Sequence, residues 1–282
     1  MQAKKLGFLL STTTAIALAG FSTASHADKD LLASMKSKGG ATAAIASAPP
    51  WAFVTPNGEA SGYLVEVTNL ALQGMGAPKL APVLTTFDAM IPGLQSGRFD
   101  VLPGGLLITE QRCKAVAFSD PVTAQQDALY VLPGNPKHLR GYGQVANASE
   151  VKVSVVTGSL QEIYAVKSGV KADNLIKVPD IQAGIATVLG RRADAFIVGQ
   201  FSVPDPKQKG VEVVVDQDAP VQSIGILFRK EDIKFRDQFN KQLEVLRSNG
   251  TMKQLYTEKY KVSNWDTLAK TMKLSQLATG CN

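Results

Sequence analysis

The residue best placed to do chemistry is Arg112, at the end of Gly104-Gly-Leu-Leu-Ile-Thr-Glu-Gln-Arg112, which follows the strand-like run Phe99 to Leu102. A flexible loop beyond a parallel strand, ending in an arginine, can present a planar guanidinium to a carboxylate and hold it through two parallel N–H···O bonds. The competing reading is a surface arginine paired with a nearby acid. A second candidate is Thr157-Gly158-Ser159-Leu160-Gln161-Glu162, where the run Val151 to Val156 turns into a helix. Free backbone N–H groups at such a turn make an anion cradle, and Gly158 permits close approach. Catalytic machinery is sparse by comparison. His26 falls in the leader described below, and His138 lies in a loop rich in Pro, Gly and Lys. A Ser-His-Asp triad or a histidine-rich metal site is therefore poorly supplied. Leu102-Pro-Gly-Gly-Leu106 lacks the spacing of a dinucleotide fingerprint, and there is no Walker phosphate loop. Nothing in the spacing of the carboxylates marks an acid–base pair.

The elements that must position these groups are those of an α/β protein, since strand-like and helix-like runs alternate along most of the chain and predict a mainly parallel sheet. Expected strands are Ala41 to Ala46, Phe99 to Leu102, Val151 to Val156, Ala195 to Val198 and Val211 to Val215. Asp88 and Gly97 bracket one expected helix, in which Pro92 is acceptable only in the first turn, and Asp180 and Gly190 bracket another. The segments 88–100 and 180–194 echo each other, each reading as a capped helix, a Gly-Arg turn, an aspartate and then an apolar strand. Two similar lobes would produce this echo. Phe235, Phe239, Leu243 and Leu246 recur at helical spacing as a core-packing helix. The segment from Lys261, with Trp265, Leu268, Met272 and Leu277, reads as a tail packed on the first lobe.

Residues 1–27 read as a signal peptide, with Lys4 and Lys5 before an apolar stretch and Ser25-His26-Ala27 as the cleavage site. The alternative, an uncleaved anchor, would need about 20 apolar residues. Phe21 stands where a lipoprotein would carry cysteine, so a lipid anchor is not expected. The mature protein, expected in the periplasm, would keep about 255 residues, enough for two lobes of ordinary size. The formal charge of +6 includes the two leader lysines, and the basic residues are scattered, which argues against nucleic-acid binding. Cys113 and Cys281 are the only cysteines, and in an oxidising compartment they suggest one disulfide, with a pair of buried free thiols as the alternative. Such a bridge would fix the backbone beside Arg112.

Phe87-Asp-Ala-Met-Ile-Pro-Gly-Leu-Gln-Ser-Gly-Arg-Phe-Asp100, Ile108-Thr-Glu-Gln-Arg112, Phe118-Ser-Asp-Pro121, Gly158-Ser-Leu-Gln-Glu-Ile-Tyr-Ala165 and Gly225-Ile-Leu-Phe-Arg-Lys230 resemble the polar-amino-acid-type binding proteins of ABC importers. The resemblance spans nearly the whole mature chain. Within that family, Ala89 to Gln95, the Arg112-Cys113 pair and a C-terminal cysteine are most similar to the ectoine and hydroxyectoine binders. It implies the type II periplasmic binding protein fold, with two lobes joined by two crossing strands near Asp127 to Val131 and Ser223 to Leu227. On this basis residues 28–128 with 223–282 form the first lobe and 129–222 the second. The resemblance further implies a monomer that needs no cofactor, takes a small zwitterionic ligand and serves an ABC importer permease. Arg112 would hold the ligand carboxylate, and Trp51 and Phe87 would face its cation. Gly105 and Leu107 would line the first-lobe side, with Gly158, Ser159, Leu160, Gln161 and Gly199 as the second-lobe contacts.

Three positions depart from the pattern. Relatives that bind α-amino acids usually carry an aspartate where this chain has Gly199, which favours a delocalised or shielded cation held by aromatic faces. Ectoine-type relatives are commonly acidic at the position of Ala48 and aromatic at that of Leu107. Binding of another polar or cyclic amino acid is thus the first alternative, and a periplasmic dehydratase-like enzyme on the same fold is the alternative of a different class.

Overall fold

The computed structural model describes residues 30–271, 273–276 and 281. The expected leader, Met272 and Leu277 lie outside them. In the first lobe, the strands Ala41–Ile45 and Leu80–Leu84 pair in parallel. The sheet continues through isolated bridges from Ala43 to Val101 and from Leu102 to Leu227. Its last pair is antiparallel, Leu227–Phe228 against Ala117–Phe118. The expected strand Phe99 to Leu102 is thus reduced to the two bridge residues. The second lobe holds a five-stranded sheet in the order Glu212–Val215, Asp127–Val131, Ala195–Gly199, Val153–Val156, Leu175–Val178.

The sheets are mixed rather than mainly parallel, because Asp127–Val131 runs against both of its neighbours. Asp127–Val131, expected as a crossing strand, is buried along its whole length inside the second sheet. The crossing is made just before it, by Thr123–Gln125 paired antiparallel with Gln222–Ile224.

The echo between the two lobes has a physical cause. Asp100 accepts the Thr42 N–H at 3.0 Å and Asp194 accepts the Lys152 N–H at 2.9 Å, so each aspartate pins a neighbouring strand start. Phe99, one residue before Asp100, lies so close to Gly93 that a Cβ there would meet its ring at 2.2 Å, and Phe196, two residues after Asp194, does the same to Gly184 at 2.3 Å. In both lobes a helical glycine is the seat of a core phenylalanine.

Asp180 caps its helix, Ile181–Leu189, by accepting the Ala183 N–H at 2.8 Å. Asp88 does not cap. Thr86 is the N-cap residue of Phe87–Gln95, and Asp88 sits in the first turn. The earlier start also moves Pro92 beyond the first turn, where the helix forgoes the bond that a residue-92 N–H would make. In the helix Ile233–Ser248, Phe235, Phe239 and Leu243 are buried as the spacing predicts. The tail packs on the first lobe, with Trp265 against Tyr256 at 5.8 Å between ring centroids and Leu268 and Leu274 buried.

Cys113 and Cys281 form a disulfide across a sequence separation of 168 residues, with their Cα atoms 5.0 Å apart. Closing so long a loop restricts the unfolded chain strongly. Cys281→Ser, or reduction, is expected to lower unfolding stability by about 2–4 kcal/mol, read from urea denaturation with and without reductant. Coincident curves would show that the bridge contributes nothing.

Candidate functional site

The loop that carries Arg112 is anchored rather than flexible. Leu107 bridges to Ile224 of the crossing ribbon, and the Ile108 N–H donates to the Ser223 carbonyl at 2.9 Å. Thr109 caps the short helix Glu110–Ala115 by accepting the Arg112 N–H at 3.1 Å, and the disulfide holds the next residue. The guanidinium donates to the Leu107 carbonyl at 2.9 Å and to the Gly158 carbonyl of the other lobe at 3.2 Å. Desolvation lowers its pKa to about 10, so it stays cationic at neutral pH. No carboxylate among the described residues pairs with it. The reading of a surface arginine neutralised by a local acid does not hold.

Arg112 opens onto a cavity between the lobes with about 490 Å³ of atom-free space, part of it continuous with solvent. From the first lobe, Trp51, Phe87, Gly105 and Leu107 line it, together with Ala48. From the second lobe come Ser159, Leu160, Gln161 and Gly199. Among the described residues, Arg112 is the only charged side chain in the lining, which holds no aspartate, glutamate, histidine, lysine or cysteine.

Gly158 is not part of the lining. It is a contact between lobes: its φ is +77°, and a Cβ on it would stand 2.9 Å from the Asp88 Cα. Nor is the turn an open cradle for anions. The Gly158 N–H donates to the Glu162 carboxylate at 2.8 Å, and Glu162 also pairs with Lys177 at 2.6 Å. Partial burial raises the Glu162 pKa, but Lys177 and the Gly158 N–H outweigh it and hold the carboxyl below its ordinary value. The turn has filled its own cradle.

Trp51 is buried, edge-on to Tyr63 at 6.2 Å and tilted against Tyr256 at 6.5 Å. Its indole N–H reaches Ser202 of the other lobe at 3.2 Å. Phe87 packs against core residues of both lobes. Gln161 donates to Asp127 at 2.6 Å, and Asp127 also accepts from Tyr142 at 3.0 Å and from Gln222 of the crossing ribbon at 3.2 Å. Burial pushes the Asp127 pKa up against the lowering effect of these donors.

Two polar lining residues escaped the sequence reading, Gln125 and Ser202, as did five apolar ones, Leu106, Val156, Ile181, Val198 and Ile224. The Gln125 amide fills the space that a side chain at Gly199 would need, since a Cβ there would stand 2.3 Å from its Oε1. His138 lies exposed on its loop. Among the described residues there is no cluster of three or more His, Cys, Asp or Glu able to hold a metal ion, and no helix long and apolar enough to cross a membrane.

Two α/β lobes joined by a two-stranded ribbon and closed over an acid-free cavity with one cation are the architecture of a two-lobed solute-binding protein. Residues 42–262 match the bacterial extracellular solute-binding proteins, family 3, and the chain belongs to that family. It is 32% identical over 254 residues to a probable amino-acid ABC transporter periplasmic-binding protein of Sinorhizobium fredii, a match covering 86% of this chain and 84% of the relative. The crystal structure of EhuB in complex with hydroxyectoine superposes with a TM-score of 0.81 at 32% identity, over 89% of this chain and 97% of that one. The crystal structure of the ancestral amino acid-binding protein AncCDT-1, a precursor of cyclohexadienyl dehydratase, superposes with a TM-score of 0.73 at 28% identity, over 81% and 98%. Membership in the family implies a small ligand and a partner ABC permease.

Because Gly158 meets the Asp88 backbone across the cleft, Gly158→Ala is expected to hold the lobes ajar. Ligand affinity should fall by about tenfold or more, with a larger radius of gyration in ligand-saturated X-ray scattering. An unchanged affinity would show that this contact does not govern closure.

Proposed function

We propose that the chain is an exported periplasmic receptor that closes on a small zwitterionic, amino-acid-like solute, ectoine or hydroxyectoine foremost, and delivers it to an ABC importer. The carrying observation is the Arg112 guanidinium, desolvated in the cavity with two carbonyl acceptors and no acid. A buried cation without a counter-ion is costly, and a ligand carboxylate relieves that cost through the remaining N–H groups. In the same reading Trp51 and Phe87 enclose the ligand cation. With no acid in the lining, a concentrated ammonium would lack an ionic partner, whereas a delocalised cation is suited to aromatic faces. The hydroxyectoine held by EhuB supports this class. Gly105, Leu107, Ser159, Leu160, Gln161 and Gly199 shape the pocket, and Gly158 acts through closure.

The first lobe in this reading comprises residues 28–128 and 223–282 and the second 129–222, although the ribbon strand ends at Gln125 and Asp127 and Ala128 pair within the second-lobe sheet. The receptor acts as a monomer after removal of residues 1–27. We read it as a binder and not as an enzyme, because the lining supplies no group of ordinary acid–base range.

Titration calorimetry of the ligand-stripped protein with ectoine, hydroxyectoine, L-arginine and L-glutamine is expected to give tight binding of the first two, with no product in mass spectra after prolonged incubation. Binding confined to the α-amino acids would replace the ectoine reading with the first alternative, and turnover would establish the enzyme. Arg112→Ala should weaken binding by about 2 kcal/mol, roughly thirtyfold. Unchanged affinity would remove Arg112 from the site.

A further inference from the structure

We infer that Gln125 determines specificity in this cavity, its side-chain oxygen accepting a hydrogen bond from an N–H on the ligand's cationic part and so selecting cations that carry N–H groups. The inference rests on the zwitterion reading above and adds to it the group that meets the end of the ligand opposite the carboxylate.

Gln125 ends the crossing strand Thr123–Gln125, lines the cavity and is 4% exposed. Its Oε1 is buried and has no hydrogen-bond partner among the described residues. Buried acceptors are almost always satisfied, and one left open inside a ligand cavity marks the place of a ligand donor. The Gln222 Oε1 is likewise buried without a partner, but of these two glutamines only Gln125 lines the cavity, and both neighbours are tied elsewhere by their amide nitrogens. Gln126 donates from its Nε2 to the Ala219 carbonyl at 2.9 Å, and the Gln222 amide nitrogen donates to Asp127.

The position of the Gln125 amide is set from outside its own strand. At Gly199 a Cβ would lie 2.3 Å from Oε1, 2.4 Å from Cδ and 2.6 Å from Nε2, so any side chain at 199 would evict the amide. The glycine and the glutamine, 74 positions apart in the chain, therefore specify one thing together: a neutral acceptor in the cavity wall. A neutral oxygen is desolvated at less cost than a carboxylate and needs no full counter-charge. That matches a cation spread over several atoms, such as an amidinium, whose N–H groups point outward in the plane of the charge. A quaternary ammonium, which has no N–H, gains nothing from it.

Wild type, Gln125→Met and Gln125→Glu are titrated with ectoine, hydroxyectoine and L-arginine by calorimetry, alongside thermal melts without ligand. Methionine keeps the length of the side chain and removes the acceptor, so affinity for the tightest of the three should fall by about tenfold or more. Glutamate keeps an acceptor of the same reach and should bind within about threefold of wild type or more tightly. Methionine binding within about twofold of wild type, or equal losses in both variants, would overturn the role of Gln125 while leaving the zwitterion reading intact. Wild-type protein that binds none of the three would overturn that reading and this inference with it.

Discussion

A guanidinium withheld from every carboxylate of the described chain is the constraint on which the rest of the site depends. Arg112 is cationic, desolvated and committed to only two carbonyl oxygens. Such a group would ordinarily collapse onto the nearest acid or swing out to water. Here it can do neither, because its helix is capped by Thr109, its neighbour Cys113 is tied to Cys281, and its loop is bonded to the crossing ribbon at Ser223. The fold thus spends several independent restraints on the direction of one side chain. One of the guanidinium's two acceptors, Gly158, belongs to the opposite lobe, so the group proposed to hold the ligand is also bonded across the cleft.

The two walls of the cavity are held by different physics. On the first-lobe side the restraint is packing, with Trp51 wedged between Tyr63 and Tyr256 and only its indole N–H reaching across to Ser202. On the second-lobe side it is a buried polar network, in which Asp127 gathers donors from Gln161 at the site, Gln222 in the ribbon and Tyr142 behind them. Through that carboxylate the end of the site helix and the crossing strand share one partner.

The α/β class, the paired segments and the arginine that lines the cavity were legible in the sequence because each has a local signature: alternating periodicity, a helix before an aspartate, an arginine after a glycine-bearing loop. The crossing strands were legible only approximately. At three residues each they are too short to carry a pattern, and the longer apolar run beside them drew the assignment to Asp127–Val131. Asp88 and Asp180 look alike as caps, yet only Asp180 accepts a capping bond, since the extended residue before the first helix is Thr86. The cradle at Gly158 was read correctly as a donor-rich turn, but no local rule says that Glu162 will turn back into it. Gln125 ends its strand and Gln126, of the same type, lies just beyond it, so no strand periodicity distinguishes the two. Which of them meets the ligand cavity is decided by Gly199, far away in the chain.

The Cys113–Cys281 bridge also has a topological meaning. With 168 positions between its ends, it turns most of the chain into a covalent ring, and both crossing strands together with the whole second-lobe sheet lie inside that ring. The second lobe is therefore a bight in a closed loop. A peptide bond cut anywhere along it leaves two fragments still joined, so a protease that nicks an opened lobe does not release a piece.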